Sequence, residues 1–167
     1  MELHYDDAGN IDYRATLEKE VGDVLLICAK TVGINGVCGV SPPIANFQAA
    51  GPGMGARFSL DFVVDKHGDM GAFLSGGGGA YASTSIAEVM GGLTVFVIPN
   101  ATIDDLQGTS VEFGGSAKAG VGLGVESIIM KSQSGQIFYG VAVSSYGGLG
   151  GEIHTTVTYS KMIYHTR

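Results

Sequence analysis

Basic residues are scarce in this chain: nine Lys and Arg stand against sixteen Asp and Glu, for a formal net charge of −7. Neutralising a phosphate backbone takes clustered cations, so nucleic acid is excluded as a partner, and anionic membrane surfaces are disfavoured on the same ground. Tryptophan is absent, and with it the residue that most often marks a membrane–water interface. The two cysteines, Cys28 and Cys38, are too few for a disulfide scaffold and lack metal-ligand spacing; whether they pair with each other is left open. No apolar run reaches the ~20 residues of a spanning helix. The most apolar stretch, residues 24–40, is broken by Lys30, Gly33 and Gly36. The start, Met1-Glu2-Leu3-His4-Tyr5-Asp6-Asp7, has no basic region followed by an apolar core, and no signal peptide is expected from it.

Apolar residues make up 45% of the chain, and 28 positions are glycine. That is enough apolar surface to offset the entropy of ordering, and 167 residues fit one domain. The glycines lack the third-position repeat of collagen and fall between β-branched runs, where they read as turns and bends of a sheet. Acid is concentrated near the start: Glu2, Asp6, Asp7, Asp12, Glu18, Glu20 and Asp23 face only Arg14 and Lys19 in that stretch, as on a solvated helix face.

Three regions follow. Residues 1–33 hold the one helical period, with Leu17, Val21, Val24, Leu25 and Cys28 recurring at three- and four-residue steps, which predicts an amphipathic helix over 12–31. Residues 34–55 are rich in Gly, Pro and Ala and read as a connector, with one short strand over 34–40. From residue 56 to 167 the period is two. Phe58, Leu60, Phe62 and Val64 alternate with Ser59, Asp61 and Asp65, and Lys66-His67-Gly68-Asp69 turns the chain into the next strand. Further runs at 81–90, 93–98, 110–115, 117–130, 137–146 and 152–164, with a turn at Gln133-Ser134-Gly135-Gln136, give about seven or eight strands. The expectation is a mainly β domain, an antiparallel up-and-down β-barrel (or a sandwich), with one N-terminal amphipathic α-helix packed on it.

In the run 117–125, Ala119, Val121, Leu123 and Val125 share one face while Gly120, Gly122 and Gly124 share the other. A bare glycine face belongs to a strand that bends sharply or is crossed closely by another backbone or ring, which favours a closed barrel. If the barrel held a small apolar ligand, these glycines would leave room for it, and Tyr139, Tyr146 and Tyr159 would line it.

No motif supplies chemistry. Gly76-Gly77-Gly78-Gly79 neither opens a helix after a parallel strand nor precedes Lys-Ser or Lys-Thr, so it is not a phosphate loop. The histidines, His4, His67, His154 and His165, form no metal pair, and the crowding of Asp65, His67 and Asp69 is that of a surface turn. A Gly-x-Ser-x-Gly elbow is absent, and Cys28 falls on the apolar helix face. No catalytic residue, metal ligand or cofactor is assigned. Glu112, Glu126 and Glu152 are the strand-borne carboxylates on which an enzymatic reading would have to rest. Thr102-Ile103-Asp104-Asp105-Leu106-Gln107-Gly108 reads as a capped helical turn between strands.

Ala101-Thr102-Ile103-Asp104-Asp105-Leu106-Gln107-Gly108, the following Ser110-Val111-Glu112-Phe113-Gly114-Gly115-Ser116 and the glycine-alternating strand together resemble a glycine-rich β region near the C-termini of RHS-type and other polymorphic-toxin proteins of bacteria. Tyr5-Asp6-Asp7-Ala8-Gly9-Asn10-Ile11 is similar to the YD repeat of those proteins, present here as a single unit. The resemblance implies a bacterial effector or toxin-associated context and carries over no catalytic residue. The leading expectation is a non-enzymatic binding or interaction barrel whose partner is a small apolar ligand or a protein. The second is a membrane-acting, pore-forming barrel with apolar residues outward; Asp61, Asp65, Glu112 and Glu126 on strands, and the absence of aromatic girdles and of Trp, speak against it, and a membrane partner is not expected. Oligomeric state is not legible.

Overall fold

A computed structural model describes residues 5–10, 12, 23, 25, 28, 35–84 and 88–166. Seven strands carry the fold: β1 (Gly36–Ser41), β2 (Asn46–Ala50), β3 (Gly55–Asp65), β4 (Met70–Ser83), β5 (Glu88–Pro99), β6 (Gly108–Ser132) and β7 (Ile137–His165). Single 3-10 turns, Pro43–Ala45 and Ile103–Leu106, join β1 to β2 and β5 to β6. All pairings are antiparallel, in the order β1-β5-β2-β3-β4-β7-β6, and the additional pairings β1–β3 and β5–β7 close the sheet into a barrel. β1 and β2 share one place in the wall: β1 bridges the far end of β3 to β5, and β2 bridges the near end of β3 to β5.

The expected barrel is thus the fold, and the sandwich is set aside. The helix expected over 12–31 lies outside the described residues apart from Asp12, Asp23, Leu25 and Cys28, and no helix of seven residues or more is present among those described. Leu25 and Cys28 are buried, and Cys28 forms a disulfide with Cys38 of β1. Half of the connector expected over 34–55 is wall: the short strand expected over 34–40 is β1, and β2 is a second strand that was not expected. The glycines of β1 mark close approach. A side chain at Gly39 would strike the Phe96 ring, and one at Gly36 the backbone of Ile98 and Pro99.

The turns form where the sequence placed them. At 65–69 the Asp65 amide donates to the Asp69 carbonyl at 3.0 Å, and Gly68 takes φ +83°. At 132–136 the Ser132 amide donates to the Gln136 carbonyl at 2.9 Å, with Gly135 at φ +88°. In the turn before β6, the Asp105 carboxylate accepts from both the amide and the hydroxyl of Thr102, each at 2.9 Å.

β6 and β7 form one hairpin in continuous register from Lys131 opposite Ile137 to Gly108 opposite Ser160. Strands of 25 and 29 residues are too long to run straight along a small barrel, and the hairpin folds over on itself. Gly120 (φ +92°) and Gly150 (φ +111°) lie at the fold, in a conformation L side chains rarely adopt. Beyond it β6 returns against its own first limb, so that a side chain at Gly122 would strike the Ala117 carbonyl and the Lys118 side chain. We expect Gly122→Ala to destabilise the barrel by roughly 1–3 kcal/mol, as overpacking does, read as a lowered denaturation midpoint by circular dichroism. The free edge of β7 pairs with β5 through residues 141–146 and with β4 through 152–165.

The barrel therefore has two unlike ends. One is closed by the apolar cluster of Val37, Val63, Phe73, Ile103, Leu106 and their neighbours, and carries the turns at 66–69, 103–106 and 133–136. The other is built from the Gly51-Pro52-Gly53-Met54 turn and the folds of β6 and β7.

Candidate functional site

Away from the apolar cluster at the closed end, the inward-facing side chains are polar or charged. On β3, Ser59, Asp61 and Asp65 face inward and are buried, while Phe58 is exposed on the outside. The same parity holds on β6, where Glu112, Lys118 and Glu126 point in, and on β7, where Glu152, His154, Thr156 and Thr158 point in. Among the described strand side chains, the charged groups on the outer face are Lys131 and Lys161.

The inner wall is a connected polar network. Arg57 of β3 donates from one terminal nitrogen to Glu112 at 2.6 Å and to Glu126 at 2.7 Å, both on β6 and brought together only because that strand folds over. Its own burial opposes the charge, but the two carboxylates outweigh it, and Arg57 is held protonated beyond its ordinary value. His154 lies between Glu126, 3.5 Å away, and Glu152, 3.4 Å away, which are ion-pair distances longer than a well-formed hydrogen bond. Burial lowers the imidazole's affinity for a proton; the flanking carboxylates more than reverse this, and its pKa rises to about 9. Burial likewise pushes Glu126 up, but His154 and Arg57 prevail and bring it to about 2. Glu152 is lowered too, against its burial, by His154 and by Gln48, whose amide donates to both its oxygens at 2.8 and 3.0 Å. The Tyr81 ring stacks on His154 with centroids 5.1 Å apart.

Deeper, Asp61 accepts from the hydroxyls of Ser41 and Ser75, each at 2.5 Å, and Thr94 bonds Ser144 at 2.7 Å. Between these layers lies a cavity of about 60 Å³, bordered by Arg57, Asp61, Ser75, Glu112 and Thr158 among others. At ~10–15 Å³ per water, that is room for roughly four to six water molecules.

The six residues singled out in the sequence do not form one site. Tyr146 is inside and buried; Tyr139 and Tyr159 are outside and more than half exposed. Gly122 and Gly124 face inward, but the first limb of β6 and the Tyr146 ring occupy the space before them, while Gly120 is exposed at the fold. The expectation of a glycine wall crossed by a backbone or a ring is met, and the space it was to leave is filled. The network that sequence reasoning missed had a signal: Arg57 and Asp61, Glu112 and Glu126, and Glu152 and His154 are separated by even numbers of residues, so each pair shares a face.

The outer wall is apolar on both sides of the barrel. Val95, Val143 and Val125 lie abreast across β5, β7 and β6, as do Leu93, Ser145 and Leu123 in the next inward-skipping row. On the other side Ala56, Gly78, Val157 and Val111 lie abreast across β3, β4, β7 and β6. Val121, Leu123, Val125, Val141 and Val143 are each at least half exposed.

No protein-family model and no curated protein matches the chain. Among solved structures it is similar to the red fluorescent protein lanRFPdam, in a crystal structure determined after prolonged X-ray irradiation, at 12% identity over 96% of this chain and 70% of that one, with a TM-score of 0.26. What fold and site define is a closed antiparallel barrel with a charged interior and an apolar exterior.

Proposed function

We propose that this protein is a membrane-inserting β-barrel whose outer wall lies in the hydrocarbon of a bilayer. The observation that carries the reading is the placement of charge: Arg57, Asp61, Glu112, Glu126, Glu152 and His154 all face in, and the exposed wall is mostly apolar, with valine, leucine, isoleucine and aromatic side chains. Soluble monomers rarely expose large contiguous apolar surface, and a docking patch is confined to one side. Here apolar rows line both walls, as lipid requires of a barrel that alternates apolar-out and polar-in. The second limb of β6 fits in length, since Val121 to Ile129 spans nine residues and a membrane strand takes ~9–11. The acids that spoke against this reading are inside. The inner cavity of about 60 Å³ is too small for a wide aqueous channel. The resemblance to polymorphic-toxin proteins would place such a barrel in an effector acting on a target membrane.

Flotation with lipid vesicles tests the proposal. The protein should rise with the vesicles and resist alkaline carbonate extraction, and Val143→Lys, on the outer wall, should weaken partitioning roughly 30-fold or more, from the ~2–4 kcal/mol that a lysine costs near mid-bilayer. A protein that stays in the aqueous fraction at every lipid concentration would sink the proposal.

A further inference from the structure

On the reading that the barrel lies in lipid, we infer that its glycine-rich end crosses the bilayer while the opposite end stays at the near surface, and that neutral lipid suffices. The two ends differ in what they would carry through hydrocarbon. At the closed end stand Lys66, Asp69, Asp104, Asp105, Lys131 and Lys161. That Lys131 and Lys161 share this level follows from Gly108, which is opposite Ser160 and would press a side chain onto the Lys131 carbonyl. Tyr139, Tyr159 and Tyr164 are exposed on the outer wall of the same half, so tyrosine and lysine together make a collar of the kind found at the level of lipid headgroups. The disulfide ties Cys28 to β1 near this end as well, since Cys38 follows Gly36, which is opposite Pro99.

The other end exposes Pro52, Gly53, Met54, Ala117, Ala119, Gly120, Val121 and Gly147 and, among the described side chains, no charge; Lys118 and Glu152 at that level face inward and are buried. Its turns can pass through hydrocarbon with small neutral side chains, whereas the closed end would drag six ionised groups through it. Among the described residues the leading end exposes no cation to seek an anionic headgroup, so its attraction to the membrane is apolar and does not require lipid charge.

Single cysteines at Met54→Cys, Val121→Cys and Gln133→Cys, labelled with nitrobenzoxadiazole, test this in vesicles of phosphatidylcholine alone, with dithionite added outside as an impermeant reductant. The first two labels should shift to the blue and be protected, the label at 133 should be bleached at once, and adding phosphatidylserine should change neither result. Bleaching of the labels at 54 and 121 with protection at 133, or equal bleaching of all three on vesicles that float, would overturn the orientation while leaving the membrane reading standing. Failure to float at all would instead remove the membrane reading. Binding that appears only with phosphatidylserine would overturn the neutral-lipid part.

Discussion

Arg57→Met should cost the barrel about 3–5 kcal/mol of stability, the usual penalty for removing one partner of a buried ion pair. Domains of this kind are stable by only ~5–15 kcal/mol in all, so the variant should unfold at much lower urea or not accumulate folded. The size comes from what is left behind: Glu112 and Glu126, both buried, each lose a donor under 3 Å away. Glu112 keeps the hydroxyls of Thr158 at 3.1 Å and of Thr156 and Ser110 at 3.4 Å, and among the described residues Glu126 keeps His154 at 3.5 Å. The triple variant Arg57→Met, Glu112→Gln, Glu126→Gln should recover much of the loss, because it removes the uncompensated charge and not merely the bond. If Arg57→Met unfolds at the wild-type urea midpoint, the network contributes nothing to stability.

Stability should also be greatest between pH 4.5 and 6.5 and fall on both sides, through two identifiable groups. His154 has its folded pKa raised from 6.5 to about 9, so its contribution is whole below 6.5 and is lost as pH climbs through 9. Glu126 has its folded pKa lowered from 4.5 to about 2; its contribution is whole above 4.5 and is lost as pH falls through 2. At 1.36 kcal/mol per pKa unit, each limb is worth roughly 3 kcal/mol, and because the two groups face each other the limbs describe one interaction and are not summed. Thermal midpoints from pH 3 to 10 read this out. In His154→Gln the alkaline decline between 7 and 9 should flatten; a decline that persists unchanged would assign it elsewhere.

Much of the architecture was legible. Alternation located β3 at Phe58, Leu60, Phe62 and Val64, and Gly68 and Gly135 marked two turns by their need for positive φ. What alternation cannot state is which face is the inside. A period of two separates Phe58 from Ser59 equally well in either sense, and the ordinary assumption of apolar-in makes Tyr139 and Tyr159 ligand-lining residues when they stand outside. The interior charges were missed for a second reason. Glu112 and Glu126 are fourteen positions apart, and only the fold at Gly120 brings them onto one guanidinium; a bend is written in glycine, which also writes turns, close crossings and loops. The Gly, Pro and Ala composition of 34–55 likewise hid β2, while the short strand expected over 34–40 is β1, whose Gly36 and Gly39 are close contacts.

The triple pairing of β7 sets the order in which the molecule can assemble. β7 is the partner of β4, β5 and β6 at once and follows all of them in the chain. Until it docks, β4 and β5 present unpaired backbone edges, β6 has nothing to zip against, and the carboxylates around Arg57 have not met His154. Assembly is therefore a late and concerted closure dominated by contacts distant in sequence, which predicts slow folding. Before that closure the chain has neither a sealed polar interior nor a finished apolar wall, and the same final strand that completes one completes the other.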